Sequence, residues 1–348
     1  TLFRSDVRTF DVDGDGDQDV FVNRYGLSSS GSFAWYRNDG SGVFAPAVTI
    51  SSGSSYAEDF DLGDLDGDGD LDVVYNALPG GTINVRLFSG GAFAPPQTWG
   101  TVPGWARYLR LMQVDPLNNS ALDLVVHTEY NRPHVLLNTG GAFGTATEVG
   151  SGGQFLGPDA MEVGDLSGNL GDILVQGASH LWLHTLRYSD NGYFWQTTNL
   201  GYCDDHIQVT DVDGYEGDNG RMEIGRTNSD TLYYTDVWDS DGFIFEYTAV
   251  VDIGLAGPGT FGHADCDEPI DILVDHTNGD GEQVPLLRRG YYPDGFDFTA
   301  AEQSSGLPLN GSWPVLVDLD EDGLNDLLRV ENGSSFHWYT NSGPEAPL

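Results

Sequence analysis

The chain contains no lysine: all 14 of its basic residues are arginine, set against 54 acidic ones over 348 residues, for a formal net charge of −40. Nucleic acid is therefore not an expected partner, because phosphate contacts need a basic footprint. The same sign disfavours docking to an anionic membrane surface, and the missing lysine excludes lysine-nucleophile chemistry. Cysteine is scarce. Cys203 and Cys266 are the only two, and they do not stand at metal-site spacing. A disulfide between them is open to an extracellular chain but is not expected, since the repeat alignment below sets them on different strands of neighbouring units. No run approaches the roughly 18 apolar residues of a membrane span, so no membrane insertion is expected. No signal-peptide pattern is visible. The opening Thr1-Leu2-Phe3-Arg4-Ser5 reads as a translated sequencing-adapter end, which leads us to expect the natural N-terminus further upstream.

Glycine (47 residues) and aromatics (12%) are abundant. Gly-rich turns with aromatic and β-branched runs point to an all-β chain. The acidity has two readings, solubility in a salty or divalent-rich medium and a set of cation sites, and the repeats separate them.

An acidic segment followed by an apolar one recurs seven times, with first aspartates at 11, 64, 115, 165, 211, 265 and 318. The fullest copies are DVDGDGDQDVFV, DLDGDGDLDVVY and DLDEDGLNDLLRV. A period near fifty residues means one supersecondary unit repeated. Each unit reads as four short strands bounded by Gly/Asn/Asp turns. In the first unit these are Val7–Phe10, Val20–Val22, Phe33–Arg37 and Phe44–Ile50. A four-stranded sheet cannot bury both faces alone, and radial stacking hides them. The expected fold is a seven-bladed β-propeller of four-stranded antiparallel blades in one domain, 1–348. Its blades fall at 1–52, 53–104, 105–153, 154–202, 203–257, 258–309 and 310–348, the last with a weak or missing fourth strand.

Three loops keep D-x-D-x-D-x-x-x-D: Asp11, Asp13, Asp15 and Asp19; Asp64, Asp66, Asp68 and Asp72; Asp318, Asp320, Asp322 and Asp326. Alternate carboxylates in a tight turn repel unless a hard cation sits among them, and Ca²⁺ accepts six to eight such oxygens. The seventh position (Asp17, Asp70, Leu324) would supply a backbone carbonyl, since leucine has no ligating side chain. An EF-hand is excluded. Its twelfth residue is Glu and helices flank it, whereas Val22, Tyr75 and Arg329 stand there and strands follow. The competing reading is an acidic turn capped by its own backbone. In the other four loops, around Asp115/Asp123, Asp165/Asp172, Asp211/Asp213 and Asp265/Asp267/Asp271, the pattern is broken and no tight metal site is expected.

The D-x-D-G-D-G-x-x-D loop before an apolar strand, with downstream turns such as NDGSGVF, resembles the FG-GAP and VCBS repeats of integrin-α-like propellers and bacterial surface proteins. The resemblance implies calcium held structurally on one face, a secreted or cell-surface setting, and a partner that is a glycan or an extracellular protein. It implies no particular ligand, reaction or oligomeric state. The opposite face would be made by second-to-third-strand loops and inter-blade connections carrying Tyr56, Trp99, Trp105, Phe155, Tyr202, Phe261 and Trp313. These suit either sugar stacking or wedging of neighbouring sheets, and wedging is favoured. No nucleophile, phosphate-loop or zinc signature is present. A propeller-type polysaccharide lyase or glycoside hydrolase would have to draw on His127, Tyr130, Arg132, His276 and Arg107, and His127 with Glu129 and His134 is the one loose constellation. A non-catalytic adhesion or binding scaffold is the leading expectation, and a structural spacer is the third.

Overall fold

In the first four units the second strand carries a continuous apolar run after its aspartate, and such a run stays out of water only when both faces of its sheet are covered. The computed structural model shows how this is achieved. It describes residues 5–24, 31–53, 57–77, 80–114, 121–129, 132–150, 158–164, 166, 171–177, 180–189, 192–202, 207–210, 223–228, 231–240, 243–252, 259–262, 271–277, 283–288, 290–291, 297–298, 302–303, 315–322, 324–331 and 335–341. The described residues contain strands and no helix.

Strands pair antiparallel in chain order. The first sheet is Ser5–Phe10, Asp19–Arg24, Gly31–Tyr36 and Val48–Gly53; the second is Phe60–Gly63, Asp72–Ala77, Thr82–Arg86 and Gln97–Thr101. The third is Ala106–Met112, Asp123–Thr128, Pro133–Leu136 and Thr147–Glu148; the fourth is Pro158–Gly164, Asp172–Gly177, His180–Ser189 and Gly192–Tyr202. The fifth is Ile207–Thr210, Glu223–Asn228, Thr231–Ser240 and Phe243–Asp252; the sixth is Gly259–Gly262, Asp271–Thr277, Gln283–Arg288 and Glu302–Gln303. A last sheet of three described strands holds Val315–Val317, Asp326–Glu331 and Ser335–Tyr339.

The outer strand of the first sheet starts at Val48, later than the expected Phe44. The cause is the turn before it. Asp39 collects the Ser41 and Val43 amides, Ala45 donates back to the Arg37 carbonyl, and Pro46 has no amide to give a ladder.

Successive residues of each second strand point to opposite faces. Phe21 packs forward against Phe60, Leu62, Val73 and Tyr75 of the second sheet, while Val20 and Val22 pack back against Leu319 and Leu328 of the last. Val74 packs forward with Leu109, Leu111 and Leu124 of the third sheet, and Val125 with Met161, Ile173 and Val175 of the fourth. Leu174 continues the series with Ile207 and Ile224 of the fifth. The apolar run is thus two period-2 patterns interleaved, each filling its own inter-sheet core. Leu328 stands two residues after its aspartate, as Phe21, Val74, Val125 and Leu174 do. Leu328 clusters with Val7, Val20 and Val22 of the first sheet.

Ion pairs cross between the first strands of neighbouring sheets. Asp59 takes Arg8 of the first sheet at 2.7 Å and Arg110 of the third at 2.8 Å, and Arg110 continues to Glu162 of the fourth at 2.9 Å. Asp59 also accepts the amides of Phe60 and Leu109, and Arg8 bonds the Phe60 carbonyl and lies over its ring at 4.8 Å. Burial pushes the Asp59 carboxyl up, but Arg110 and Arg8 outweigh it and hold it below the ordinary carboxylate value. Neighbouring Asp61 lies further from Arg8, at 3.9 Å, and there burial wins and the value rises. Removing one member of a buried pair leaves its partner's charge uncompensated. Asp59→Ala is expected to cost about 3 kcal/mol, read by urea unfolding at fixed calcium, and a loss within experimental error would show the ladder to be inert.

Candidate functional site

Each acidic loop joins the first strand of its sheet to the second, and its shape is set by the loop's own carboxylates. The first aspartate collects two amides. Asp11 takes those of Gly14 (2.9 Å) and Gly16 (3.1 Å), and Asp64 those of Gly67 (2.7 Å) and Gly69 (3.1 Å). Those glycines sit at φ of +72°, +102°, +83° and +95°, where a side chain is strained. In the last loop Glu321 occupies the position of Gly14 and Gly67 and adopts the same left-handed turn at φ +58°. The third aspartate caps the residue two further on: Asp15 takes the Asp17 amide, Asp68 the Asp70 amide and Asp322 the Leu324 amide.

The ninth position has a different job. Asp72 is buried and accepts the amide of Leu65, inside its own loop, at 3.0 Å and that of Phe88, beyond the third strand, at 2.8 Å. Asp326 does the same with Leu319 and Asn341, and Asp123 with Val114 and Asn138. Asp19 accepts the Asn38 amide and the Trp35 indole, and Asp172 the Leu166 amide. The aspartate persists in the third and fourth sheets, whose loops have lost the metal pattern, because it staples the loop to its sheet. Burial raises Asp19, Asp72 and Asp326 to about 6 each, against the opposing pull of these amide donors.

Three carboxylate groups gather donor oxygens within 4.8 Å of one another: Asp11, Asp13 and Asp15; Asp64, Asp66 and Asp72; Asp318, Asp320 and Asp326. Asp19, Asp68 and Asp322 stand outside these threes, as do Asp17 and Asp70. The donor set is all carboxylate oxygen, which suits a hard cation. Asp13 Oδ1 and Asp320 Oδ1 are buried with no hydrogen-bond donor facing them, as a ligand position requires. The loops are not equivalent. Arg37 reaches Asp13 at 2.5 Å and Asp15 at 2.8 Å, so the first loop already carries a guanidinium, and Arg37 holds Asp15 below the ordinary carboxylate range. The corresponding positions in the other two are Leu87 and Thr340. In the second loop burial and Asp68 push Asp66 up instead.

Of the remaining candidates, Asp115, Asp165, Asp211, Asp213, Asp265, Asp267, Tyr56, Tyr130, Phe155, Trp313, Cys203 and Cys266 lie outside the described residues, as do the side chains of Tyr202, Phe261 and His276. Trp99 is buried edge-on against Phe143 at 5.6 Å and acts as a wedge, whereas Trp105 is 48% exposed. Trp105 precedes the strand Ala106–Met112, at the end away from the acidic loops, next to the Arg107–Glu58 ion pair. His127, His134 and His184 are buried, with His127 bonded to the Thr128 carbonyl and His184 to Thr197. Arg132 pairs with Glu148 and the Gly150 carbonyl. Burial and then the neighbouring His134 lower His127, and burial and then His127 and Arg132 lower His184, so these four groups lie within electrostatic reach of one another. The inter-strand asparagines and Arg37 were not read as functional from sequence. The signal for the former was N-x-G after the third strand, at Asn38, Asn138 and Asn341.

Four-stranded antiparallel sheets stacked face to face in chain order define a β-propeller. Residues 11–75, which span the first two acidic loops, match the FG-GAP-like repeat family. No curated protein matches the sequence. Solved structures of similar fold include BBS1N in complex with ARL6DN, at 12% identity and TM-score 0.57, covering 97% of this chain and 92% of that one. A candidate 6-phosphogluconolactonase from Bacteroides uniformis matches at 12% identity and TM-score 0.55, covering 95% and 93%. NanB sialidase from Streptococcus pneumoniae matches at 11% identity and TM-score 0.50, covering 97% and 67%. At such identities the likeness is one of fold.

A carboxyl whose folded value is raised binds protons on folding. The contribution of Asp19, Asp72 and Asp326 is therefore fully present below the unfolded value near 3.8 and is lost as pH rises through about 6. Buried His127 and His184, lowered by burial to about 4 and about 3, act oppositely: their contribution is full above 6.5 and lost as pH falls toward those values. Because the two sets oppose each other, a group-resolved measurement decides. Carboxyl-carbon NMR of the chelated protein should show Asp72 and Asp326 titrating near pH 6, and midpoints near 4 would remove the burial argument.

Proposed function

We propose that the chain is a calcium-stiffened, seven-bladed propeller closed between its first and last sheets. It serves as a non-catalytic binding scaffold of a secreted or cell-surface protein. One observation carries the reading: three loops at the same end of their sheets each bring three carboxylates within 4.8 Å, and two of these groups hold a buried oxygen with no donor. Carboxylates so placed stay ionised at neutral pH more cheaply around a divalent cation than around one another. Asp11, Asp13 and Asp15, Asp64, Asp66 and Asp72, and Asp318, Asp320 and Asp326 are the side-chain donors in this reading. Asp68 and Asp322 stand close by, and residues 17, 70 and 324 offer backbone carbonyls. The FG-GAP-like match over the first two loops supports calcium and an extracellular setting. The expected partner is an extracellular glycan or protein. It would meet the face away from the loops, where Trp105 offers an exposed ring.

Metal bound only by the folded state stabilises it by mass action, about 2.7 kcal/mol at a hundred times Kd. Chelation should therefore lower Tm by several degrees and readdition restore it; an unchanged melt would sink the calcium reading. A glycan array with and without chelator then separates binding from turnover.

The loops should also differ among themselves. Arg37 competes with a cation for Asp13 and Asp15, so the first loop is the weakest of the three. Arg37→Ala should strengthen one calcium site in a calorimetric titration and leave the other two unchanged. An isotherm identical to that of the wild type would show that the guanidinium does not compete.

A further inference from the structure

The second residue of two acidic loops is gripped at both ends of its peptide unit. Leu319, between Asp318 and Asp320, gives its amide to Asp326 of its own sheet at 3.1 Å, and its carbonyl accepts from Asn38 Nδ2 of the first sheet at 3.0 Å. Leu65, between Asp64 and Asp66, gives its amide to Asp72 at 3.0 Å, and its carbonyl accepts from Asn138 Nδ2 of the third sheet at 2.8 Å. Each asparagine is itself fixed, with its backbone amide on the ninth-position aspartate of its own sheet, Asp19 or Asp123, at 2.8 Å. The chain of contacts is unbroken: carboxylate cluster, ninth aspartate, loop peptide, asparagine, next sheet. The first loop lacks this link. The residue that would reach it from the second sheet is Phe88, whose side chain has no donor and packs on Trp35 and Phe93.

We propose that Asn38 and Asn138 are latches that couple cation binding in one sheet's loop to the docking of the next sheet; the proposal rests on the calcium reading above. A cation that draws Asp318, Asp320 and Asp326 together holds the Leu319 peptide in the orientation Asn38 needs. By reciprocity the bonded asparagine raises the loop's affinity. Occupancy of the last loop thereby secures the contact between the last and first sheets. Occupancy of the second loop does the same between the second and third sheets, and occupancy of the first loop leaves its neighbour unaffected.

The test is calorimetric Ca²⁺ titration of the full chain, with Tm recorded in calcium and in chelator. Asn138→Ala should weaken one site about three- to tenfold, the worth of one hydrogen bond, with stoichiometry unchanged. The effect should vanish when the second loop is emptied by Asp66→Asn and persist when the last is emptied by Asp320→Asn. Asn138→Asp, which faces a carbonyl with a carboxylate, should weaken the site further. An Asn138→Ala protein that loses the same Tm with and without calcium and binds as the wild type overturns the latch while leaving the calcium reading intact. A wild-type chain that takes up no calcium overturns both. Should Asn138→Ala fail to fold, Asn38→Ala against Asp320→Asn reads the same coupling at the other seam.

Discussion

Among the described residues, a buried aspartate heads the second strand of five sheets (Asp19, Asp72, Asp123, Asp172 and Asp326) and holds this architecture together locally. In the three intact loops the hairpin between the first two strands turns through eight residues, and its amides need partners once the sheet is packed on both faces. Asp72 supplies them from one side chain, with one oxygen to Leu65 in the loop and the other to Phe88 just beyond the third strand, so three consecutive segments are pinned by a single residue. A carboxylate suits this role because it accepts from two donors at once. Its cost is desolvation, visible as the rise of Asp19, Asp72 and Asp326 to about 6. The staple explains why Asp123 and Asp172 stand in sheets whose loops lack the acidic residues at positions three and five. Position nine is structural first, and it joins the carboxylate group of its loop in the second and last sheets but not in the first.

Much of the fold was legible in the sequence because the repeat is strict where the physics is strict. The aspartate and the apolar run after it recur because the second to fourth sheets pack on another sheet at both faces, so neither Val73 nor Val74 can become polar. The acidic loops were legible as candidate cation sites for the same reason: D-x-D-x-D has few other uses. What sequence alone left undecided was the division of labour inside the loop. Nothing in DVDGDGDQD separates the aspartates that collect amides from those that leave an oxygen free for a ligand, since the residue type is the same and only its surroundings differ. The strand boundary at Val48 was equally hidden, because it is decided by hydrogen bonds of Asp39 across a turn.

The aromatic residues divide in a way that composition cannot show. Trp99 and Trp105 stand six residues apart, on either side of the turn from the second sheet to the third; one fills the core against Phe143 and the other presents its ring to solvent. Trp99 lies within a strand and faces the third sheet, whereas Trp105 precedes the next strand and has no sheet to face. Wedging is thus the right account of one and an incomplete account of the other.

Charge on this chain is organised on two scales. Within and between the inner strands, arginine and carboxylate alternate from sheet to sheet, Arg8 to Asp59 to Arg110 to Glu162, so that each buried charge has an opposite at hand. At the loops the excess is all of one sign, apart from Arg37. Arginine suits the first setting because its fork can bond two carboxylates or a carboxylate and a carbonyl at once, as Arg110 does with Asp59, Glu162 and the Leu109 carbonyl. A lysine ammonium offers no such planar fork. A chain whose few cations must each satisfy several acceptors in a packed interior gains from arginine at those positions. The acidic remainder is then left for solvent and for divalent ions to neutralise, and the one loop that recruited an arginine of its own has the least need of an ion.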